Sequence, residues 1–162
     1  MSNFPDQQPS CHHYTLERFF LSSEMCTGEE RFRSTTHFIN RLQHPLVFNY
    51  SASRCGIGAL AVESAVVKRR KVDGTGVRHT LESNLLLCTN ITEPITCGAH
   101  RSERILALLT DDDGVKLGNH KTNPMVGTFH EIEMYIMNTK LEPVEASQID
   151  SVSIILRVEM TR

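Results

Sequence analysis

Two glycines in the middle of the chain have the spacing of a dinucleotide-binding loop. The run Gly56-Ile57-Gly58-Ala59-Leu60-Ala61 matches the pattern G-x-G-x-x-A. That pattern requires a buried strand before it, a helix after it and an acidic residue about 20 positions later to bind the ribose. Residues 51–55 lack the composition of a buried strand, and the acidic candidates are Asp73, in a turn, and Glu82. We therefore predict no cofactor and expect these small residues to allow close packing or a bulge.

A dense run of basic residues, Lys68-Arg69-Arg70-Lys71, has the composition for contact with phosphate or for nuclear import. It precedes Val72-Asp73-Gly74-Thr75-Gly76, a run typical of a turn. The alternative interpretation is an exposed hairpin end whose charges are simply solvated. This basic turn, Lys68 to Lys71, is the interaction site that the sequence offers, and weak contact with nucleic acid is the function it would have.

The residues that could bind metal ions lack the required spacing. Asp111-Asp112-Asp113-Gly114 has neither the alternating oxygen ligands nor the closing Glu of a calcium loop, which favours a charged β-turn. Cys11-His12-His13 and the pair Cys88 and Cys97 contain zinc ligands, but the chain has no C-x-x-C or H-x-x-x-H spacing. No metal is predicted, and we expect buried, inert thiols at Cys55, Cys88 and Cys97.

Nucleophilic catalysis has no recognisable signature in this sequence. No G-x-S-x-G occurs in the sequence. The pair Cys55-Gly56 and the eight His residues are residue types that a catalytic site uses, but their spacing matches no known catalytic pattern. Two glycosylation sequons occur, Asn49-Tyr50-Ser51 and Asn90-Ile91-Thr92. The polar start, Met1 to Ser10, has no signal-peptide core, so we expect both sequons to stay unmodified. The sequence predicts no enzyme and no catalytic residue.

Composition limits the class of protein. The 162 residues are 40% hydrophobic and 22% charged, with a net charge of −2, which excludes a polybasic protein and an acidic tail. No apolar run approaches the roughly 18 residues that a membrane helix needs. Five Cys is an odd count without a signal peptide, so free thiols are expected. These features predict an intracellular protein with one core and no membrane contact.

The elements that would position any site are predicted to be strands. Thr, Val and Ile make up 35 of the 162 residues, and β-branched residues favour strands. Apolar residues alternate with Glu131, Glu133 and Tyr135 in 129–137, and a second clean alternation runs through 152–160. Such alternation is typical of antiparallel sheets with one face buried in the core and the other exposed to solvent. We predict an all-β fold of about eight antiparallel strands, a β-sandwich or a barrel, over 13–162, preceded by a flexible arm, 1–12.

Other segments are less regular. Phe32, Phe38 and Leu42 share one side of a segment whose other side carries charged residues and His37. The alternation of Tyr14, Leu16 and Phe20 is imperfect, whereas 104–109 is apolar on both faces and fits a strand buried on both sides.

The segment 57–71 allows two interpretations. As a strand it places Leu60, Val62 and Val66 on one face, while its alanines would also suit a helix. The strand is favoured, because the flanking pattern is that of strands and adjacent valines disfavour a helix.

Several short runs follow one another in an order that resembles a known family. They are Phe38-Ile39-Asn40-Arg41-Leu42, Pro45-Leu46, Gly58 to Ser64, Leu86 to Gly98 with Glu93-Pro94 inside it, Arg104-Ile105-Leu106, His130 to Ile136 and Ser153 to Val158. This order is similar to that of the penton-like minor capsid proteins of Polinton transposons, adintoviruses, virophages and related adenovirus-like DNA viruses. The chain differs from them in having no Trp, and Ala65-Val66 where they have Tyr-Pro.

The resemblance implies a single jelly roll that works as a structural virion protein. Five copies would close a heterologous ring at a capsid vertex, among copies of the major capsid protein. Such a protein would be made in the host cell, assemble in its nucleus and reside in the virion without being secreted. The alternative is a β-sandwich spike or fibre head, typically a trimer, that binds a receptor or a glycan.

Overall fold

The computed structural model of the chain describes residues 14–26, 33–48, 58–69, 84–98, 101–109 and 121–161. Strands dominate these ranges, and the other regular elements are 3-10 turns at Ser23–Met25 and Ala146–Gln148. The strands are β1 (Tyr14–Ser22), β2 (Arg33–Ser34), β3 (His37–Phe48), β4 (Ala59–Arg69), β5 (Leu85–Thr89), β6 (Ile95–Cys97), β7 (Arg101–Glu103), β8 (Ile105–Leu109), β9 (Gly127–Asn138) and β10 (Ile149–Thr161). The predicted all-β class is confirmed.

Two antiparallel sheets form a sandwich. One sheet has three strands in the order β1-β10-β4, and the other has five in the order β2-β3-β9-β5-β8. A separate hairpin pairs β6 with β7. The sheets pack their inner faces into one core that draws on every long strand; its largest fully buried side chains include Phe38, Phe48, Leu21, Leu60, Leu87, Ile132 and Met134.

The path of the chain is that of a single jelly roll. It moves from β1 in the three-stranded sheet to β3 in the five-stranded sheet, back to β4, and then to β5 and β8. Thr122 next exchanges two backbone hydrogen bonds with Leu60 of β4, before β9 and β10 return to the two sheets in turn. Seven long strands and this bridge therefore occupy the eight positions of a Greek-key jelly roll.

The two cleanest sequence patterns fold as predicted. On β9, Ile132, Met134 and Ile136 are buried, whereas Glu133 and Tyr135 between them are partly exposed. On β10, within the predicted stretch 152–160, the buried positions are Val152, Ile154, Leu156 and Val158. Because successive side chains of a strand point to opposite faces, both strands bury one face and expose the other.

The strand interpretation of 57–71 is confirmed for Ala59–Arg69, but its predicted face is only half right. Leu60 and Val62 are buried, whereas Val66 is 53% exposed. The cause is a bulge: Val62 and Ser64 pair with neighbouring residues of β10, so Glu63 has no partner position. One extra residue reverses the alternation, which turns Ala65 inward and Val66 outward.

On two other strands, some of the apolar residues singled out in the sequence lie on the exposed face. Leu16 and Phe20 on β1 are exposed, while Phe19 and Leu21 face the core. Leu108 on β8 is also exposed, so 104–109 is not buried on both sides as predicted. Both strands lie at sheet edges, where the outer face has no covering layer. Phe38 and Leu42 face the core as expected, whereas Phe32 and the arm 1–12 lie outside the described residues.

Candidate functional site

Gly58 allows close packing, as predicted for the small residues of the glycine motif. Its φ is +118°, and a Cβ placed on it would lie 1.9 Å from the carbonyl oxygen of Glu159. The strand β4 follows directly, where a dinucleotide site would need a helix. The backbone of Gly58 therefore lies against β10, while Gly56 is outside the described residues.

The basic turn is described only in part. Lys68 is exposed near the end of β4, and Arg69 ends the strand opposite Ile149 of β10. Arg70 and Lys71 lie outside the described residues, and so do the candidates Cys11 to His13, Cys55 and Asp111 to Gly114. Within the described ranges, no group of three or more His, Cys, Asp or Glu residues is arranged to hold a metal ion.

A cleft of about 710 Å³ opens on the outer face of the five-stranded sheet. Its floor includes the outward side chains His37 of β3 and Glu133 and Tyr135 of β9. One side is formed by Pro94 and the end of the hairpin, residues 101–104, and the other by the loop residues Pro143 and Val144. A volume of this size lies in the range of small-molecule sites.

The floor of the cleft is fixed by the pairing of β3 with β9. His37 lies directly opposite Tyr135, and their ring centroids are 5.9 Å apart. His37 Nε2 also lies 2.5 Å from Oε1 of Glu133, which is its diagonal neighbour across the same pairing. Opposite and diagonal positions of one face are within reach of long side chains, so three residues form one polar row.

Asn90 connects this row to the far side of the cleft. Its Nδ2 donates to the carbonyl oxygen of Glu131 at 3.1 Å, and its Oδ1 accepts from the backbone N–H of Glu133 at 2.9 Å. Nη1 of Arg104 donates to the backbone oxygen of Asn90 at 3.1 Å. Asn90 therefore holds the backbone of β9 on one side and the guanidinium of Arg104 on the other.

The hairpin covers part of the same outer face. Cys88 of β5 lies opposite Tyr135, and paired residues project to the same side of a sheet, yet Cys88 is fully buried. Burial raises the pKa of the Cys88 thiol to about 12, with smaller contributions from the charges of Glu103 and Cys97. Because Cys88 faces outward yet is buried, and both of these residues belong to the hairpin, we infer that the hairpin covers the thiol.

Tyr135 lies between the covered and open parts of this face. Burial is the main cause that raises the pKa of its phenol to about 12, and the charges of Cys88, Glu103 and Glu133 act in the same direction. The guanidinium of Arg104 opposes them. The carboxylates of Glu103 and Glu133 and the guanidinium of Arg104 act on this hydroxyl group, so they would also act on a ligand beside it.

The outer face of the three-stranded sheet carries a second distinctive surface. Phe20 of β1 lies opposite Ile155 of β10. Val66 of β4 lies opposite Ser153, which is two residues before Ile155 on β10, so Val66 is the diagonal neighbour of Ile155. Phe20 and Val66 are more than half exposed. We call Phe20, Ile155 and Val66 the outer apolar row. Ile155, between Phe20 and Val66, is partly buried, and neighbouring apolar residues on the outer face of a sheet can form an interaction surface.

Charged residues border this row. Nε of Arg18 lies 3.0 Å from Oε2 of Glu63, and Nη1 of Arg157 lies 3.7 Å from its Oε1. Arg18 and Arg157 are directly opposite each other, so their positive charges would repel without an anion between them. The bulge places the Glu63 carboxylate beside both.

Comparisons with models of known protein families, with curated proteins and with solved structures found no match for this chain. No helix in the described part of the chain is long and apolar enough to span a membrane.

The sequence identified none of the cleft residues as a site. Glu133 and Tyr135 were expected on a wet face and His37 on the polar side of its segment, and these positions are confirmed. The alternation was therefore the available signal, but it does not reveal which strands are neighbours. The cleft depends on the pairing of β3, β9 and β5 and on the position of the hairpin over that face.

Proposed function

We propose that this chain is a structural virion protein, a penton-like minor capsid subunit whose copies assemble at capsid vertices with the major capsid protein. The observation that carries the proposal is the strand order. The runs that resemble the capsid family fall on β3, β4, β5 with β6, β8, β9 and β10 in turn. That serial order is thus the order of strands in a single jelly roll, the fold that the resemblance implies.

The outer apolar row supports assembly into homo-oligomers. A monomer would leave Phe20 and Val66 in contact with water, and burying such side chains in a subunit contact is favourable by about 25 cal/mol per Å² of apolar surface. A ring requires a heterologous contact, in which this surface meets a different surface of the next copy. A pentamer is the favoured state. The basic turn, with Lys68 exposed beside the row, is proposed as a weak contact for nucleic acid.

The test is the mass of the purified chain in solution, measured by light scattering during gel filtration, with negative-stain images of the same fraction. We expect a ring of about five times 18.3 kDa. Phe20→Ser should weaken the association at least about ten-fold. Leu108→Ser, which changes an exposed leucine on the other sheet, is the matched control and should assemble normally. A monomer at every concentration would contradict assembly of the chain by itself.

A second candidate function is a ligand-binding β-sandwich, such as a spike or fibre head. The observation that favours it is the cleft, in which polar side chains from β3, β9, the hairpin and the residues Asn90 and Arg104 converge. A trimer in the same mass measurement would favour this candidate over the vertex subunit.

A further inference from the structure

The cleft on the five-stranded sheet has the chemistry of a ligand-binding site. Its donors and acceptors come from separate elements and face a shared space of about 710 Å³. We propose that it binds a neutral carbohydrate of the size of a mono- or disaccharide. This inference deepens the second candidate function and does not depend on assembly of the chain.

The balance of charge in the cleft points to a neutral ligand. The lining includes the guanidinium groups of Arg101 and Arg104 and the carboxylates of Glu103 and Glu133. Arg101 Nε and Glu103 Oε1 are 2.7 Å apart and largely compensate each other. An anionic ligand beside Arg104 would also be repelled by the carboxylate of Glu133. A cationic ligand beside Glu133 would likewise be repelled by the guanidinium of Arg104. Neither sign of ligand is therefore favoured.

The remaining hydrogen-bonding capacity suits hydroxyl groups. Glu133 uses Oε1 for His37, and Arg104 uses Nη1 for a backbone oxygen. Among the described residues, the other guanidinium N–H groups of Arg104, the second carboxylate oxygen of Glu133 and the phenol of Tyr135 have no hydrogen-bond partner. A guanidinium only donates, a carboxylate only accepts and a phenol does both. A sugar, whose hydroxyls donate and accept at neighbouring carbons, can satisfy all three.

The apolar part of the lining suits the other side of a sugar ring. Pro94 lies on one side of the cleft, Pro143 and Val144 lie on the other, and the ring of Tyr135 contributes to the floor. A pyranose presents C–H groups on its faces and hydroxyls at its rim. Its C–H groups can therefore pack against the proline and tyrosine rings while its hydroxyls point toward the polar groups. Ligand sites typically combine such an apolar lining with a few oriented polar groups.

The first experiment is saturation-transfer NMR on the full chain with a pool of neutral methyl glycosides and disaccharides, followed by titration of the strongest binder. Arg104→Met and Tyr135→Phe should each weaken that binding about ten-fold, because each removes a donor to the ligand. Arg18→Met, which removes an arginine from the other sheet, is the control and should leave the affinity unchanged. Thermal unfolding of each variant shows whether it is folded.

Three results would overturn the proposal. The first is that no neutral sugar in the pool binds to the folded chain at concentrations up to about 50 mM, a weak-binding limit. The second is that sugars bind equally well to Arg104→Met, Tyr135→Phe and the original chain. The third is that sialic acid or a short acidic peptide, tested in parallel, binds where neutral sugars do not. None of these results depends on the mass measurement, so the binding and assembly proposals can fail separately.

Discussion

The side chain of Asn90 adds to a backbone contact with Glu133, whose carbonyl oxygen accepts from the N–H of Asn90 at 3.4 Å. Beyond the end of β5 at Thr89, its carboxamide accepts from the N–H of Glu133 and donates to the carbonyl of Glu131, as the next residue of a strand would do through its main chain. The chain can thereby leave the sheet toward the hairpin without leaving β9 unpaired at that point. The position of Glu133 in the cleft depends on this contact.

Replacing Asn90 should therefore destabilise the sheet at the cleft. We expect Asn90→Ala to lower the free energy of unfolding by about 1–3 kcal/mol, because partly buried backbone groups lose their partners. Asn90→Asp should also destabilise, since a carboxylate cannot donate to the carbonyl of Glu131. Urea denaturation gives the measurement, and Asn123→Ala, at an exposed position, is the control. Equal stability of Asn90→Ala and the control would contradict the role assigned to this amide.

Gly58 should tolerate no side chain. Its φ of +118° is unfavourable for other residues, and an added Cβ would overlap the carbonyl oxygen of Glu159. We expect Gly58→Ala to lower the free energy of unfolding by more than about 3 kcal/mol or to prevent folding. Gly98→Ala is the matched comparison, because Gly98 also has a positive φ, of +65°, but open space around its Cβ position. It should cost only about 1 kcal/mol. Similar midpoints in denaturant for both variants would contradict the assigned clash.

The sequence predicted correctly those strands whose buried and exposed positions follow from their own residues, without knowledge of the neighbouring strand. On β9 and β10 the alternation of apolar and polar residues is regular, because one face packs in the core and no bulge interrupts β9 over that stretch. Val66 was assigned to the wrong face because the bulge at Glu63 depends on how β10 pairs with β4. Nothing in the residues 59–69 alone specifies that pairing.

The cleft was not predictable for a related reason. His37 and Glu133 are 96 residues apart in sequence and meet only through the register of β3 with β9. Asn90 was visible in the sequence only as part of a sequon, whereas the structure uses its amide for two hydrogen bonds to β9. Long-range pairing thus decides which polar residues of the wet face become neighbours.

Two phenylalanines should differ sharply in their contribution to stability. Phe38 is fully buried in the core, whereas Phe20 is 58% exposed on the outer face of β1. Phe38→Ala should lower the free energy of unfolding by about 3–5 kcal/mol, because it removes buried surface and leaves a cavity. In dilute, monomeric protein, Phe20→Ala should change it by less than about 1 kcal/mol. Urea denaturation of both variants under one set of conditions is the measurement. A large loss for Phe20→Ala would mean that its ring is buried in the monomer.

Cys88 should resist alkylation in the folded protein. The thiolate is the reactive form, and burial both raises the pKa of this thiol to about 12 and excludes the reagent. Cys97 is partly exposed, so the prediction of a buried thiol was wrong for this residue. Cys26 is also partly exposed, and both should react with iodoacetamide at pH 8 well before Cys88. Mass spectrometry of peptides sampled over time gives the order of modification, and urea should abolish the protection of Cys88. Alkylation of Cys88 at the rate of Cys97 without denaturant would contradict the covering role of the hairpin.

The same thiol should make the fold less stable in alkali. Its pKa rises from 9.0 to about 12 on folding, so between these values the folded chain retains a proton that the unfolded chain releases. The stabilisation is complete below pH 9.0 and is lost as the pH rises toward 12. In that window this group should lower the free energy of unfolding by about 1.4 kcal/mol per pH unit. Urea titrations at pH 8, 9 and 10 should show a shallower decline for Cys88→Ala than for the original chain. Parallel declines would contradict a raised pKa at Cys88.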